Sequence, residues 1–226
     1  MSIRDEMVAL AKSVSGLGAA ASKGRAEFLE LIAPGETPAV AADYATLSTC
    51  GLTVRGLWGR IGMKDARLAA PYAPGSVFTN LRAMATEAGG WSTDVATLGL
   101  GDAIMISEPD HVGTVVKLEP RSAGGVNITT VDGGSKDATG LQCIVSFERA
   151  IGADGSIVAG PLAGNGRKLL GVCSLPAVAA AFGAGGGAEG SGGAYGGAGS
   201  GQSVIPALVL LAGVGVAWRL TRGRWV

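Results

Sequence analysis

The first ninety residues carry hydrophobic side chains at the spacing of amphipathic helices. In residues 3–32 apolar side chains recur at the i, i+3, i+4 and i+7 positions that line one helix face; they are Met7, Leu10, Ala11, Val14 and Leu17. Gly16 and Gly18 interrupt this pattern, so two shorter helices are an alternative to one long helix. Pro34 and Gly35 end the segment, because neither residue favours a continuing helix.

Two further helices are predicted before residue 90. The segment from Cys50 to about Ile61 has Ser48 or Thr49 in position to cap its N-terminus, and its apolar residues would pack inward. Another helix covers about 77–88 and ends at a Gly-Gly pair. Residues 36–49 are mixed in character and predict a loop at their start.

After residue 91 the hydrophobic period changes to that of β-strands. Apolar or alternating runs cover 103–106, 112–118, 126–131 and 141–147, with turn residues between them. Four strands at this spacing predict an antiparallel sheet. Helices come first along the chain and strands second, which is the order typical of an α+β fold. Residues 151–182 follow as an apolar extension, and for its part 161–182 we expect either a further helix or a stretch on a membrane surface.

Composition and charge exclude several classes of protein. The 226 residues carry 18 Lys and Arg against 18 Asp and Glu, and this balance argues against bulk binding to nucleic acid. Apolar residues at 47% exclude disorder of the whole chain. The cysteines Cys50, Cys143 and Cys173 form no C-x-x-C pair, and His111 is the only histidine. A disulfide framework and a zinc site are therefore not expected, and we predict no metal and no other cofactor.

The C-terminal part has the composition of a tether and a membrane anchor. Residues 183–202 are mainly Gly, Ala and Ser, which is typical of a flexible linker. Residues 203–220 follow as a predicted transmembrane helix, since no charge occurs between Val204 and Trp218. Arginines and tryptophans around the basic tail 221–226 are typical of a membrane interface. A buried terminal helix is the alternative for the apolar segment.

Three side chains form the candidate catalytic site. Cys50 stands at a predicted helix N-terminus, where the partial positive charge stabilises a thiolate and lowers the pKa of the thiol. His111 opens one predicted strand, and Asp132 ends the next. Adjacent antiparallel strands place the start of one beside the end of the other, so Asp132 can orient the His111 ring as the third member of a triad does. Asp110 and Asp137 are alternatives for this third role.

The same residues lie in motifs that resemble the NlpC/P60 and CHAP domains. The motifs are a helix-borne cysteine in T-C-G-L, then L-x-x-G-D-A-I-M-I, then D-H-V-G-T-V-V, and a strand that ends T-V-D-G-G. The family consists of papain-like cysteine peptidases and amidases that cut the peptide part of peptidoglycan. The resemblance spans roughly residues 40–148, and it implies that Cys50 is the nucleophile, His111 the general base and Asp132 the orienting residue. It also makes Tyr44, upstream of the nucleophile, a candidate contact to the oxyanion or the substrate.

The resemblance implies a domain layout and a function. A helical segment (1–35) precedes a papain-like hydrolase domain (36–150), and the extension, linker, span and tail follow. We expect a peptidoglycan endopeptidase or amidase that is tethered to a lipid membrane through 203–220 and needs no cofactor. Its head would face the cell wall or periplasm, or belong to a virion, since a phage virion or lysis system fits the anchor. The alternative is an inactive structural or assembly protein of a virion or membrane complex with the same fold.

Overall fold

The computed structural model describes residues 1–70, 73, 75–107, 111–164 and 166–183. The α-helices of this part are α1 (Ile3–Val14), α2 (Arg25–Ile32), α3 (Pro38–Tyr44), α4 (Cys50–Arg60), α5 (Ser76–Glu87) and α6 (Leu175–Phe182). Its strands are β1 (Trp91–Ser92), β2 (Ala103–Ile106), β3 (His111–Pro120), β4 (Val126–Lys136), β5 (Gln142–Ile151), β6 (Ile157–Ala159) and β7 (Leu169–Cys173). The fold is therefore α+β, as the order of helical and strand patterns predicts.

The predicted linker beyond Gly183, the predicted span 203–220 and the basic tail 221–226 lie outside the described residues. Among the helices that are described, none combines the length and the apolar character that crossing a membrane requires. The predicted membrane anchor therefore stays a prediction from composition.

The N-terminal segment forms two helices rather than one. Ser2 and Asp5 cap the start of α1 reciprocally, because the Ser2 hydroxyl accepts the Asp5 N–H and the Asp5 carboxylate accepts the Ser2 N–H. The chain then turns before α2, and Gly24 has a positive φ of 66° at that point. Such a backbone conformation favours glycine. The two-helix alternative is thus confirmed.

Helix α3 corrects the prediction of a loop at the start of 36–49. Thr37 caps this helix with its hydroxyl, which accepts the N–H of Val40. Pro38 occupies the first helical position. A proline there costs no hydrogen bond and its fixed φ suits a helix, so Pro38 starts the helix instead of breaking it.

In the described part of the chain the sheet has seven strands in the order β1-β7-β2-β3-β4-β5-β6, and each neighbouring pair is antiparallel. The four predicted strands are β2 to β5, which are neighbours both along the chain and in space. The apolar extension 151–182 contains β6, β7 and α6. Of the two alternatives for this extension, a helix is present, but β7 enters the sheet between β1 and β2.

Hydrophobic side chains pack on both faces of the sheet. Along β2, Ala103 and Met105 belong to the main core, which they share with buried residues of the helices. Ile104 and Ile106 point the other way and belong to a second cluster. The main core lies between the sheet and α4, which packs against β3 and β4. This packing brings the N-terminus of α4 to the strands that carry the polar site residues.

Asp102 explains the G-D motif that precedes β2. Its buried carboxylate accepts the backbone N–H groups of Gly99 and Leu175, at 2.8 and 2.9 Å. The same carboxylate forms a 2.8 Å ion pair with Arg4 of α1. A buried carboxylate needs such partners. Asp102 therefore ties α1 and the start of α6 to the sheet, which is a structural role.

Candidate active site

Cys50 is the first residue of α4, as the sequence predicts, and only 8% of its surface is exposed. Its backbone N–H is one of the helix N-terminal groups that have no partner within the helix. Thr49 stands at the N-cap position but does not cap the helix with its side chain. The Thr49 hydroxyl instead accepts the N–H of Gly134 at 2.8 Å, and this bond fixes the start of α4 against β4.

The two glycines after Asp132 allow this close approach. A Cβ at Gly133 would lie 2.5 Å from the carbonyl oxygen of Thr49, so a larger residue does not fit. Gly134 has a φ of 84°, a conformation that favours glycine. The register of β4 against β5 shifts between Asp132 and Ser135. Asp132 therefore does not end its strand as predicted; β4 continues through a bulge, a feature that is frequent beside active sites.

The structure brings His111 and Asp132 together. His111 opens β3, and the pairing of Thr114 with Val131 places the start of β3 beside Asp132. His111 Nε2 lies 2.6 Å from Asp132 Oδ2, and Asp132 is fully buried. A Cβ at Gly113 would lie 2.8 Å from Asp132 Cγ and closer still to Oδ1. The glycine of the H-V-G motif thus makes room for the carboxylate.

The electrostatics favour a thiolate on Cys50 and a proton on His111. Burial raises the pKa of the Cys50 thiol, but a hydrogen bond from His111 and its charge, the Ser48 hydroxyl and the N–H of Val112 together hold that pKa below its usual value. Burial lowers the pKa of His111, yet its hydrogen bonds to Asp132 and Cys50 raise it to about 9. The thiolate and the imidazolium stabilise each other. Such a pair is an activated nucleophile with a proton donor beside it.

A cleft of about 190 Å³ opens at the thiol. The described residues that line it are mostly apolar or glycine: Ser48, Cys50, Gly51, Leu52, Gly75, Val77, Phe78 and Val112. Ser48 is exposed, and its Oγ lies 3.5 Å from Cys50 Sγ. Three larger cavities, of about 720, 420 and 260 Å³, are lined by none of the three predicted catalytic residues. We place the site at the smaller cleft, because the reactive thiol lies there.

Arg149 is a site residue that sequence reasoning missed. Its Nη2 lies 2.5 Å from Asp132 Oδ2, and its side chain is 1% exposed. The predicted strand ended at residue 147, whereas β5 runs to Ile151. Arg149 pairs with Ile128, and Val145, four residues earlier in β5, pairs with Asp132. Because side chains alternate along a strand, Arg149 and Asp132 lie on the same face of the sheet. An arginine at an inward position of an alternating strand is the signal that could have found it.

The other candidates lie elsewhere. Tyr44 ends α3, is half-buried against the main core, and is not among the described residues that line the cleft. Asp137 accepts hydrogen bonds within the turn between β4 and β5, from Thr139 and Leu141. Asp110 lies outside the described residues. Ser48, which no motif singles out, instead occupies the position next to the thiol.

The remaining cysteines are buried and unpaired with each other. Burial raises the pKa of Cys143, and it raises the pKa of Cys173 to about 12. Both thiols are therefore less reactive than Cys50 at neutral pH. No group of three or more metal-ligating side chains is found in the part of the chain that the structure describes.

Comparison with known proteins gives no match, whether to a family model, to a curated protein or to a solved structure. The function of the chain is therefore inferred from the geometry of Cys50, His111 and Asp132 and from the motifs that contain them.

Proposed function

We propose that this chain is a papain-like cysteine hydrolase of the NlpC/P60 or CHAP type, which cleaves amide bonds in the peptide part of peptidoglycan. The observation that carries the proposal is the part-buried hydrogen bond between His111 and Asp132 beside a thiol whose pKa His111 lowers. A cysteine at a helix N-terminus, with a histidine and a carboxylate on two neighbouring strands, supports nucleophilic catalysis. The substrate class comes from the resemblance of the motifs.

In the proposed reaction the Cys50 thiolate attacks the carbonyl carbon of the amide, and the carbonyl electron pair moves onto oxygen. Cys50, whose backbone N–H lies at the start of α4, and Ser48, whose hydroxyl lies 3.5 Å from the thiol, both line the cleft. Both can donate hydrogen bonds to the developing oxyanion. The His111 imidazolium then gives its proton to the departing amine as the C–N bond breaks, which leaves a thioester on the cysteine.

The second half of the reaction uses His111 as a base. The neutral imidazole takes a proton from water while the water oxygen attacks the thioester, and the carboxylic acid product leaves. The thiolate and the imidazolium are then restored. Asp132 keeps the ring oriented through both halves and stabilises its protonated form.

The tether is a second part of the proposal and rests on composition. We infer that residues 203–220 insert into a membrane and that 183–202 act as a spacer for a head facing the cell wall, in a phage-derived lysis or virion context. Replacing the spacer by a Gly/Ser run of equal length should leave activity unchanged. Deleting it should slow hydrolysis of intact walls but not of soluble muropeptides, because only the wall lies at a distance. Equal losses on both substrates would contradict a spacer role.

Two measurements on the full chain test the hydrolase proposal. The wild type should release new amino groups from purified peptidoglycan, and Cys50→Ala should release none while it unfolds at nearly the same temperature. Cys173→Ala is the matched control, because this buried thiol lies in β7 and should leave hydrolysis intact. Iodoacetamide should alkylate Cys50 even at pH values well below the ordinary thiol pKa of about 8.5. An inert Cys50 without hydrolysis would favour the inactive assembly protein.

A further inference from the structure

The guanidinium group of Arg149 is buried behind the candidate site and is held on several sides. Nη2 donates to Asp132 Oδ2 at 2.5 Å, and Nη1 donates to the hydroxyl of Thr130. Nε donates to the carbonyl oxygen of Pro161 at 3.2 Å, and the group lies 5.1 Å from the centre of the Phe147 ring. These contacts come from β4, from β5 and from the loop after β6, so the orientation of the guanidinium group is fixed.

Asp132 shares one oxygen between two cations. Asp132 Oδ2 accepts one hydrogen bond from His111 on β3 and another from Arg149 on β5, the two neighbours of β4 in the sheet. Burial raises the pKa of Asp132, but the hydrogen bond from His111 and the charge of Arg149 outweigh it and lower that pKa. Cys50 faces His111 from α4. The buried groups thus form a chain of alternating charges: thiolate, imidazolium, carboxylate and guanidinium.

We propose that Arg149 is a positioning residue of this site, which holds the Asp132 carboxylate in place and keeps it ionised, and thereby sustains the thiolate of Cys50. The inference rests on the proposed function, since it concerns the same nucleophile and base. With Arg149 the four charges sum to zero. Without it, thiolate, imidazolium and carboxylate leave one uncompensated negative charge in a buried place, and such a charge is relieved by taking up a proton.

Other charged groups near Arg149 do not replace it. Lys117, Glu119 and Glu148 line the cavity of about 420 Å³ that also reaches Arg149. Lys117 pairs with Glu119 at 3.0 Å, and both side chains are more than half exposed. Exposed charges are screened by water, whereas the Arg149–Asp132 pair is not. The loss of Arg149 would therefore change the pKa of the Cys50 thiol.

The test compares Arg149→Met with Arg149→Lys in the full chain. The readout is the rate of Cys50 alkylation by iodoacetamide as a function of pH, followed by mass spectrometry of the peptide that contains Cys50. In Arg149→Met we expect the apparent pKa of the thiol to rise by about one unit, so that alkylation at pH values well below that pKa slows about tenfold. Arg149→Lys keeps the charge and should stay within about threefold of the wild type. A role limited to packing would leave both profiles unchanged.

Each alkylation result either supports or overturns the proposed role of Arg149. Wild-type alkylation profiles in a folded Arg149→Met variant would overturn the proposal. If that variant does not fold, Asp132→Asn is compared with the double variant Asp132→Asn/Arg149→Met, which removes both buried charges together. Because Arg149 acts through the Asp132 carboxylate, the two variants should then show the same apparent thiol pKa, and a pKa about one unit higher in the double variant would overturn the proposal. Alkylation needs no substrate, so failure of the hydrolase proposal would appear separately, as absent hydrolysis with an intact reactive thiol.

Discussion

Gly113→Ala should separate the orientation of His111 from the chemistry of the Cys50 thiol. The added Cβ would lie 2.8 Å from Asp132 Cγ and closer to Oδ1, whereas non-bonded atoms prefer about 3.5 Å. The carboxylate must therefore move by roughly 1 Å, out of line with His111 Nε2 at 2.6 Å and Arg149 Nη2 at 2.5 Å. Nothing in the cleft itself is changed.

The expected cost follows from these hydrogen bonds. A hydrogen bond to a charged group contributes about 1.5–3 kcal/mol. Losing one and weakening the other should lower the free energy of unfolding by about 3 kcal/mol, or roughly 6–12 °C in Tm for a chain of this size. Since removal of an orienting carboxylate lowers kcat by about 10⁴ in a serine protease, displacement of Asp132 should lower kcat by at least about 100-fold.

The assay combines thermal unfolding by circular dichroism with hydrolysis of muropeptides. Gly59→Ala is the control, because Gly59 is an exposed position of α4 where an added Cβ meets nothing within 4 Å. That change should raise stability by up to about 1 kcal/mol and leave hydrolysis unaffected. A Gly113→Ala variant as stable and as active as Gly59→Ala would refute the role of Asp132 in orienting His111.

Four further predictions concern the same site. The kcat/KM profile should fall above pH about 9, where His111 loses its proton, and should fall again at acid pH below the lowered pKa of Cys50. Asp132→Asn should retain residual activity and move the basic limb of that profile to lower pH, because the carboxylate is what raises the pKa of His111. Ser48→Ala should move the acid limb upward without changing Tm, since this exposed hydroxyl lowers the thiol pKa. Thr49→Val leaves a β4 amide without its acceptor and should cost about 1–3 kcal/mol in urea unfolding.

The sequence by itself determined the elements whose contacts are local. The helix from Cys50, the helix from about residue 77 and the strands β2 to β5 follow from hydrophobic period and turn residues. The proximity of His111 and Asp132 was also predictable. It requires only that two consecutive strands pair antiparallel, which is the usual result of a short connection.

Only the tertiary structure decided what depends on distant segments. The position of β7 between β1 and β2 follows no local pattern, because a strand's neighbours are set by packing across the whole chain. The hydrophobic period of the sequence likewise could not show that the Thr49 hydroxyl accepts a hydrogen bond from a β4 amide instead of capping its own helix. Both outcomes depend on what α4 packs against.

Arg149 shows why part of the site could not be predicted from the sequence. Arginine is mostly an exposed residue, so the inward register of Arg149 in β5 is a signal only once its buried partners are known. Burial of a guanidinium group is tolerated only where an anion and further hydrogen-bond acceptors contact it. Asp132 and Thr130 belong to β4 and the carbonyl of Pro161 to the loop after β6, and these groups meet around Arg149 only after the sheet has formed. Local motifs thus predict the proposed nucleophile and base, whereas the charge of Arg149 beside them depends on the assembled fold.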